Sequence, residues 1–204
     1  MKLYTLPGAC SLADHIALIW AGLPFQVQVM DHAALKSPEY LALNPAGAVP
    51  ALEDGGWVLT QNAAILHYIS DKAPAAGLDG GSDARTRAEV NRWLAFVNAD
   101  LHPQYYPLFG GTKYLEDETA ITRTQQNARG KLKSLYQLLN NRLAQHDWLG
   151  GTPRASIADA YAYVTVRWAR MLQLDLAGMD ALTRFEQRMQ ADPAVQAALK
   201  AEGL

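Results

Sequence analysis

The sequence is poor in the features that mark export, membranes and polyanion binding. It holds one cysteine, Cys10, in 204 residues, which excludes an internal disulfide and leaves any redox or transfer chemistry dependent on a thiol from outside. No run approaches the roughly 20 apolar residues that cross a bilayer. The opening Met1-Lys2-Leu3-Tyr4-Thr5 lacks a basic segment followed by a long apolar one, so no export signal is expected. With an unpaired cysteine, the expected location is the cytoplasm. A formal net charge of −2 gives no electrostatic reason for nucleic acid binding. There is no internal repeat and no low-complexity tract. The remaining composition, 50% hydrophobic, suffices for one large domain or two small ones with a sizeable core.

Two patterns divide the chain. Up to about residue 76, short alternating runs are interrupted by helical runs and punctuated by Gly and Pro, which predicts an α/β unit. Strand one is read as Lys2–Leu6, then a helix from Ser11 to Ala21 stopped by Gly22 and Pro24, then strand two over Phe25–Met30. Ala51-Leu52 and Trp57–Thr60 flank Asp54-Gly55-Gly56 as a hairpin. A helix capped by Asn62 buries Ile65, Leu66 and Ile69 and ends near Pro74. Residues 77–85, low in large apolar side chains, read as a flexible linker. From 86 to 204 the apolar spacing is helical almost throughout, as in Trp93, Val97 and Leu101 or Leu132, Leu135 and Leu139. The last helix opens at Asp192-Pro193, an N-cap followed by proline at the first helical position.

Cys10 lies between strand one and helix one. A helix amino terminus has free N–H groups and a positive dipole end, which favour a thiolate and can lower its pKa; the sequence alone does not fix the protonation state of Cys10.

A β-α-β-α-β-β-α half followed by a helical half resembles the cytosolic glutathione transferases. Pro7-Gly8-Ala9-Cys10-Ser11 with His15, Asn44-Pro45 with Gly47 and Val49-Pro50, and Ser156-Ile157-Ala158-Asp159 are similar to the bacterial beta class. The resemblance implies a thioredoxin-like N-terminal domain that binds glutathione over residues 1–76. It also implies an all-α C-terminal domain over 86–204 that contributes the electrophile pocket, and a twofold homodimer. Neither metal nor flavin is implied.

The family pattern implies a cis Val49–Pro50 bond that presents the Val49 backbone to the cysteinyl part of glutathione. Gln61 and Asn62, at a helix start, are expected to hold the γ-glutamyl carboxylate. Lys36 matches a basic residue that contacts glutathione in relatives. Ser11 is expected to cap helix one and to offer the same exposed hydroxyl to the glutathione sulfur. His15 reads as a structural hydrogen-bonder. His102, four residues after Asn98, is expected on one wall of the cleft with it, accepting the thiol proton or stabilising the thiolate. Of Tyr105, Tyr106, Phe109, Tyr114 and Trp168, two or three should face the electrophile pocket. Arg167 and Arg170 receive no role. Ser156 and Asp159 read as a capping box that acts on stability.

The implied activity is conjugation of the glutathione thiolate to small apolar electrophiles. Thiol–disulfide exchange through Cys10 is a second possibility. A non-catalytic glutathione- or ligand-binding protein on the same fold is the alternative.

Overall fold

Alternation within Lys2–Thr5 builds β1, one of the two inner strands of a four-stranded sheet, in a computed structural model that describes residues 1–204. The sheet runs β2-β1-β3-β4, with β2 at Gln26–Val29, β3 at Ala51–Asp54 and β4 at Trp57–Thr60. β1 pairs parallel to β2 (Leu3 with Val27) and antiparallel to β3 (Leu3 with Leu52). The β3–β4 hairpin turns at Gly55-Gly56. Helices α1 (Ser11–Ala21), α2 (Pro38–Leu43) and α3 (Asn62–Lys72) complete a thioredoxin-like arrangement. α1 ends as its sequence dictates: Gly22, at φ 64°, takes the left-handed conformation that favours glycine and donates its N–H to the Ile19 carbonyl.

The second half is helical. α4 (Ala84–Ala95) runs into a π-helical turn, Phe96–Leu101, and a 3₁₀ turn, His102–Tyr105. α5 (Glu118–Leu143), α6 (Ile157–Met171), α7 (Asp180–Ala191) and α8 (Pro193–Glu202) follow. Asp192 caps α8, accepting from the N–H groups of Ala194 and Val195. At the start of α6 the fully buried Asp159 carboxylate accepts from the Ser156 N–H at 2.8 Å, the Ser156 hydroxyl at 2.6 Å and the Leu149 N–H at 2.9 Å.

One apolar cluster runs through both halves, from Leu3, Ile16 and Leu52 to Leu139, Val164 and Phe185. α1 is the shared element, packed against α3 in its own half and against α6 and α8 in the other. The stretch read as a flexible linker is anchored: Leu78 is buried in this core and its carbonyl accepts from the Ile157 N–H at 2.9 Å. A single large apolar side chain was enough to tie the segment down.

Three further expectations need correction. Strand two is shorter than Phe25–Met30, because only Gln26–Val29 pairs with β1. Ser11 is the first helical residue of α1 and Cys10 holds the N-cap position, without a side-chain cap. Likewise Gln61, not Asn62, precedes α3; its φ of 75° and ψ of 115° are unfavourable for a residue with a side chain.

Candidate active site

Two adjoining cavities open where the halves meet. The larger, about 1090 Å³, lies between Val49-Pro50, Gln61-Asn62 and the wall made by Asn98, His102 and Tyr161. The second, about 790 Å³, lies beyond the Pro7–Cys10 loop against α6. Cys10, His32, His102 and Phe109 line both.

The first cavity gathers groups that can bind an extended peptide. Val49–Pro50 is cis. The Val49 N–H donates to no protein group, so it is free to pair with a strand laid beside it. The Val49 carbonyl lies 3.7 Å from the Cys10 sulfur, whose S–H donates to it. At the start of α3 the first N–H groups have no intrahelical partner, which suits a carboxylate. Asn62 is buried, and its amide nitrogen donates inward to Asp14 Oδ2 at 2.7 Å and to the Cys10 carbonyl at 3.1 Å. Asn62 therefore joins the helix start to the thiol loop.

Burial overrides the helix dipole at Cys10. Burial first, and the Asp14 carboxylate one turn along α1 second, push the thiol up to about 12; hydrogen bonds from backbone N–H groups lower it by less. The lowering that a helix amino terminus can bring is therefore outweighed. Asp14 is itself fully buried, with Oδ1 unpartnered, and burial together with the nearby Glu202 holds its own pKa well above the usual carboxylate range.

His102 and Asn98 both line the first cavity. Tyr161 on α6 links them: its hydroxyl donates to Asn98 Oδ1 at 3.5 Å and hydrogen-bonds His102 Nδ1. With Nδ1–H donating to Tyr161, Nε2 is left as the acceptor nitrogen, and it has no partner in the protein. Burial lowers the His102 pKa, so the imidazole is neutral at pH 7.

Ser11 is not at the cavity. Its hydroxyl is fully buried, 2.8 Å from the Thr5 hydroxyl and accepting from the Leu6 N–H at 3.3 Å. Thr5, the Gly8 N–H and His15 Nδ1 in turn bond Glu202 near the carboxyl end of the chain, at 2.9, 3.1 and 3.0 Å. This network fixes the Cys10 loop from beneath and gives His15 its structural partner. An exposed Ser11 hydroxyl beside a bound sulfur is therefore excluded.

The five aromatic candidates divide. Phe109 lines both cavities, Tyr106 the first and Trp168 the second. Trp168 Nε1–H also donates to the Gly8 carbonyl at 2.7 Å. Tyr105 is fully buried, its hydroxyl shared between Tyr136 and the Thr165 carbonyl, and Tyr114 is exposed away from both cavities. Neither is a pocket residue. Lys36 is exposed, with its ammonium beside Gly47; it does not line the cavity, although its neighbours Ala46 and Ala48 do.

Sequence reasoning missed His32 and Tyr161. Tyr161 was legible only as part of an apolar helical stripe, and the available signal was a hydroxyl that a buried tyrosine must satisfy. His32 lies in an irregular loop and carried no signal.

Family models for the glutathione S-transferase N-terminal domain and C-terminal domain match residues 9–72 and 112–193. A glutathione S-transferase of Xanthomonas campestris pv. campestris is 58% identical over 204 residues, covering 100% of both chains. Among solved structures, a glutathione S-transferase from Xylella fastidiosa is 60% identical with a TM-score of 0.96, over 100% of this chain and 98% of that one. A sphingomonad glutathione S-transferase complexed with glutathione is 38% identical with a TM-score of 0.88, and a bacterial beta class enzyme of Sphingomonas chungbukensis is 34% identical with a TM-score of 0.86; each match covers 100% of both chains. Matched in both halves by family models and end to end by these relatives, the chain belongs to the glutathione S-transferase family.

Proposed function

We propose that the first cavity binds glutathione and that its thiolate attacks a small electrophile seated in the second. The observation that carries this is the convergence on one cavity of the free Val49 N–H, the α3 amino terminus and the Cys10–His102 wall. The solved relative holding glutathione supports the same ligand here. In this reading Val49 pairs with the cysteinyl backbone and Gln61 with the α3 N–H groups holds the γ-glutamyl carboxylate. Asn62 braces that helix start against the Cys10 loop, and Lys36 stands outside the cavity as a basic group near its rim. Neutral His102 takes the thiol proton on Nε2, held in that tautomer by Tyr161 and Asn98. Cys10 is a wall of the site: with a pKa near 12, on the order of one thiol in 10⁵ is ionised at pH 7. Holding both reactants together supplies much of the acceleration this reaction needs.

Thiol–disulfide exchange is a second activity of the same site, favoured by the place of Cys10 on both cavity walls. Its thiolate would attack the glutathione sulfur of a disulfide between glutathione and another thiol, releasing that thiol and leaving Cys10 in a mixed disulfide; a second glutathione would then displace Cys10 and leave as glutathione disulfide. We further propose a cytoplasmic twofold homodimer acting in detoxification. Sedimentation at micromolar concentration tests the dimer.

Calorimetric titration with glutathione and a conjugation assay with a chromogenic aryl halide test the main reading. Binding with turnover is expected. Binding without turnover of any electrophile would favour a binding protein on this fold, and no binding would overturn the reading.

A further inference from the structure

We infer that the second cavity selects electrophiles carrying an anionic group, held by Arg167; this rests on the conjugation reading above. Two arginines of α6, Arg167 and Arg170, line that cavity. Arg170 is neutralised: its Nε donates to Glu186 Oε2 at 2.9 Å, and its Nη2 lies at ion-pair distance from the same oxygen, 2.9 Å, while donating to the Thr183 hydroxyl at 3.4 Å. Arg167 pairs with no carboxylate, and no backbone carbonyl accepts from it. The Tyr163 ring lies 5.9 Å from its guanidinium carbon. A half-buried arginine that lines a cavity and has no counter-ion is suited to an anion from outside, because its planar fork matches a carboxylate in two parallel hydrogen bonds.

The rest of the wall defines the other end of the ligand. Trp168 follows Arg167 directly on α6, and its ring stands perpendicular to Phe109 at 5.4 Å and against His102 at 4.8 Å. That aromatic corner adjoins Cys10 and the first cavity, so a flat ring lying against it brings its reactive carbon toward a bound thiol. The ligand class is an aryl halide with a carboxylate on the side away from the halogen. In the reaction the glutathione sulfur bonds to the ring carbon bearing the halogen and the halide leaves with the bonding electrons. The thiol proton passes to His102 and then to solvent.

The test compares kcat/KM for 4-chloro-3,5-dinitrobenzoate and 1-chloro-2,4-dinitrobenzene in the wild type, Arg167→Gln and Arg167→Lys. The ratio of the two values is read because it is insensitive to the fraction of protein folded. Arg167→Gln should lower the anionic-to-neutral ratio about tenfold, mainly through KM, and Arg167→Lys should restore part of it, since the charge remains but the fork is lost. Inhibition by unreactive 3,5-dinitrobenzoate should weaken in parallel. A ratio unchanged in Arg167→Gln, with the neutral substrate still turned over, overturns the role of Arg167 alone. A wild type that conjugates neither substrate overturns the conjugation reading with it.

Discussion

The Cys10 thiol donates to the Val49 carbonyl across 3.7 Å, joining the strand-to-helix loop to the residue before the cis proline. A thiol that donates is a thiol that keeps its proton. Burial and Asp14 keep it there. Alkylation of native protein by iodoacetamide should therefore be slow at neutral pH and rise only as the pH approaches 12. Asp14→Asn should move that rise to lower pH by removing the carboxylate beside the thiol.

Asp14 itself makes stability depend on pH. Its folded pKa is raised above the ordinary 3.8, so its contribution to stability is complete below that value and is lost as pH rises toward the folded value. Urea unfolding of the wild type at increasing pH should show this loss, and Asp14→Asn should remove it.

His102 gives the opposite sign. Burial favours its neutral form and lowers its pKa from 6.5, so the stability it contributes is present above about pH 6.5 and is lost as pH falls through the folded value. Conjugation should fall over the same acidic limb as the imidazole protonates. His102→Gln should reduce kcat by about tenfold to a hundredfold and flatten that limb. Tyr161→Phe, which leaves the ring nitrogen without its partner, should produce a smaller loss in kcat.

Two buried carboxylates should act on folding. Asp159→Ala removes the acceptor of three hydrogen bonds at the buried start of α6 and should cost about 2 to 3 kcal/mol, lowering Tm by roughly 5 to 10 °C. Glu202→Ala strips Thr5, Gly8 and His15 of their shared acceptor and should cost about 3 kcal/mol. Thermal melts read both. Glu202→Ala should also raise Cys10 alkylation, since Gly8 is then held only through its carbonyl by Trp168.

The elements were legible wherever a local signal set them. Gly22 ends α1, Asp192-Pro193 opens α8, and the spacing of Ile65, Leu66 and Ile69 marks the buried face of α3. The lining of the site was legible where the motif used backbone, as at Val49-Pro50. What failed were expectations about where a side chain points. Ser11 is buried, its hydroxyl bonded to Thr5, which in turn donates to Glu202, a glutamate 191 residues beyond Ser11, and no local pattern carries that network. Tyr105 and Tyr106 are adjacent in the chain, yet one is core and the other cavity wall, because the turn that follows the π-helical Phe96–Leu101 sets their directions. The Cys10 pKa was not legible for the same reason. The helix amino terminus is visible in the sequence, whereas the buried Asp14 beneath it becomes visible only when α1 packs.

In the proposed conjugation the reacting thiol belongs to glutathione and not to Cys10. Conjugation of glutathione to 1-chloro-2,4-dinitrobenzene by Cys10→Ala tests it most directly. The expected kcat/KM lies within about threefold of wild type, since at pH 7 Cys10 supplies almost no thiolate. Loss of turnover to the uncatalysed rate, with glutathione affinity unchanged by calorimetry, would contradict it.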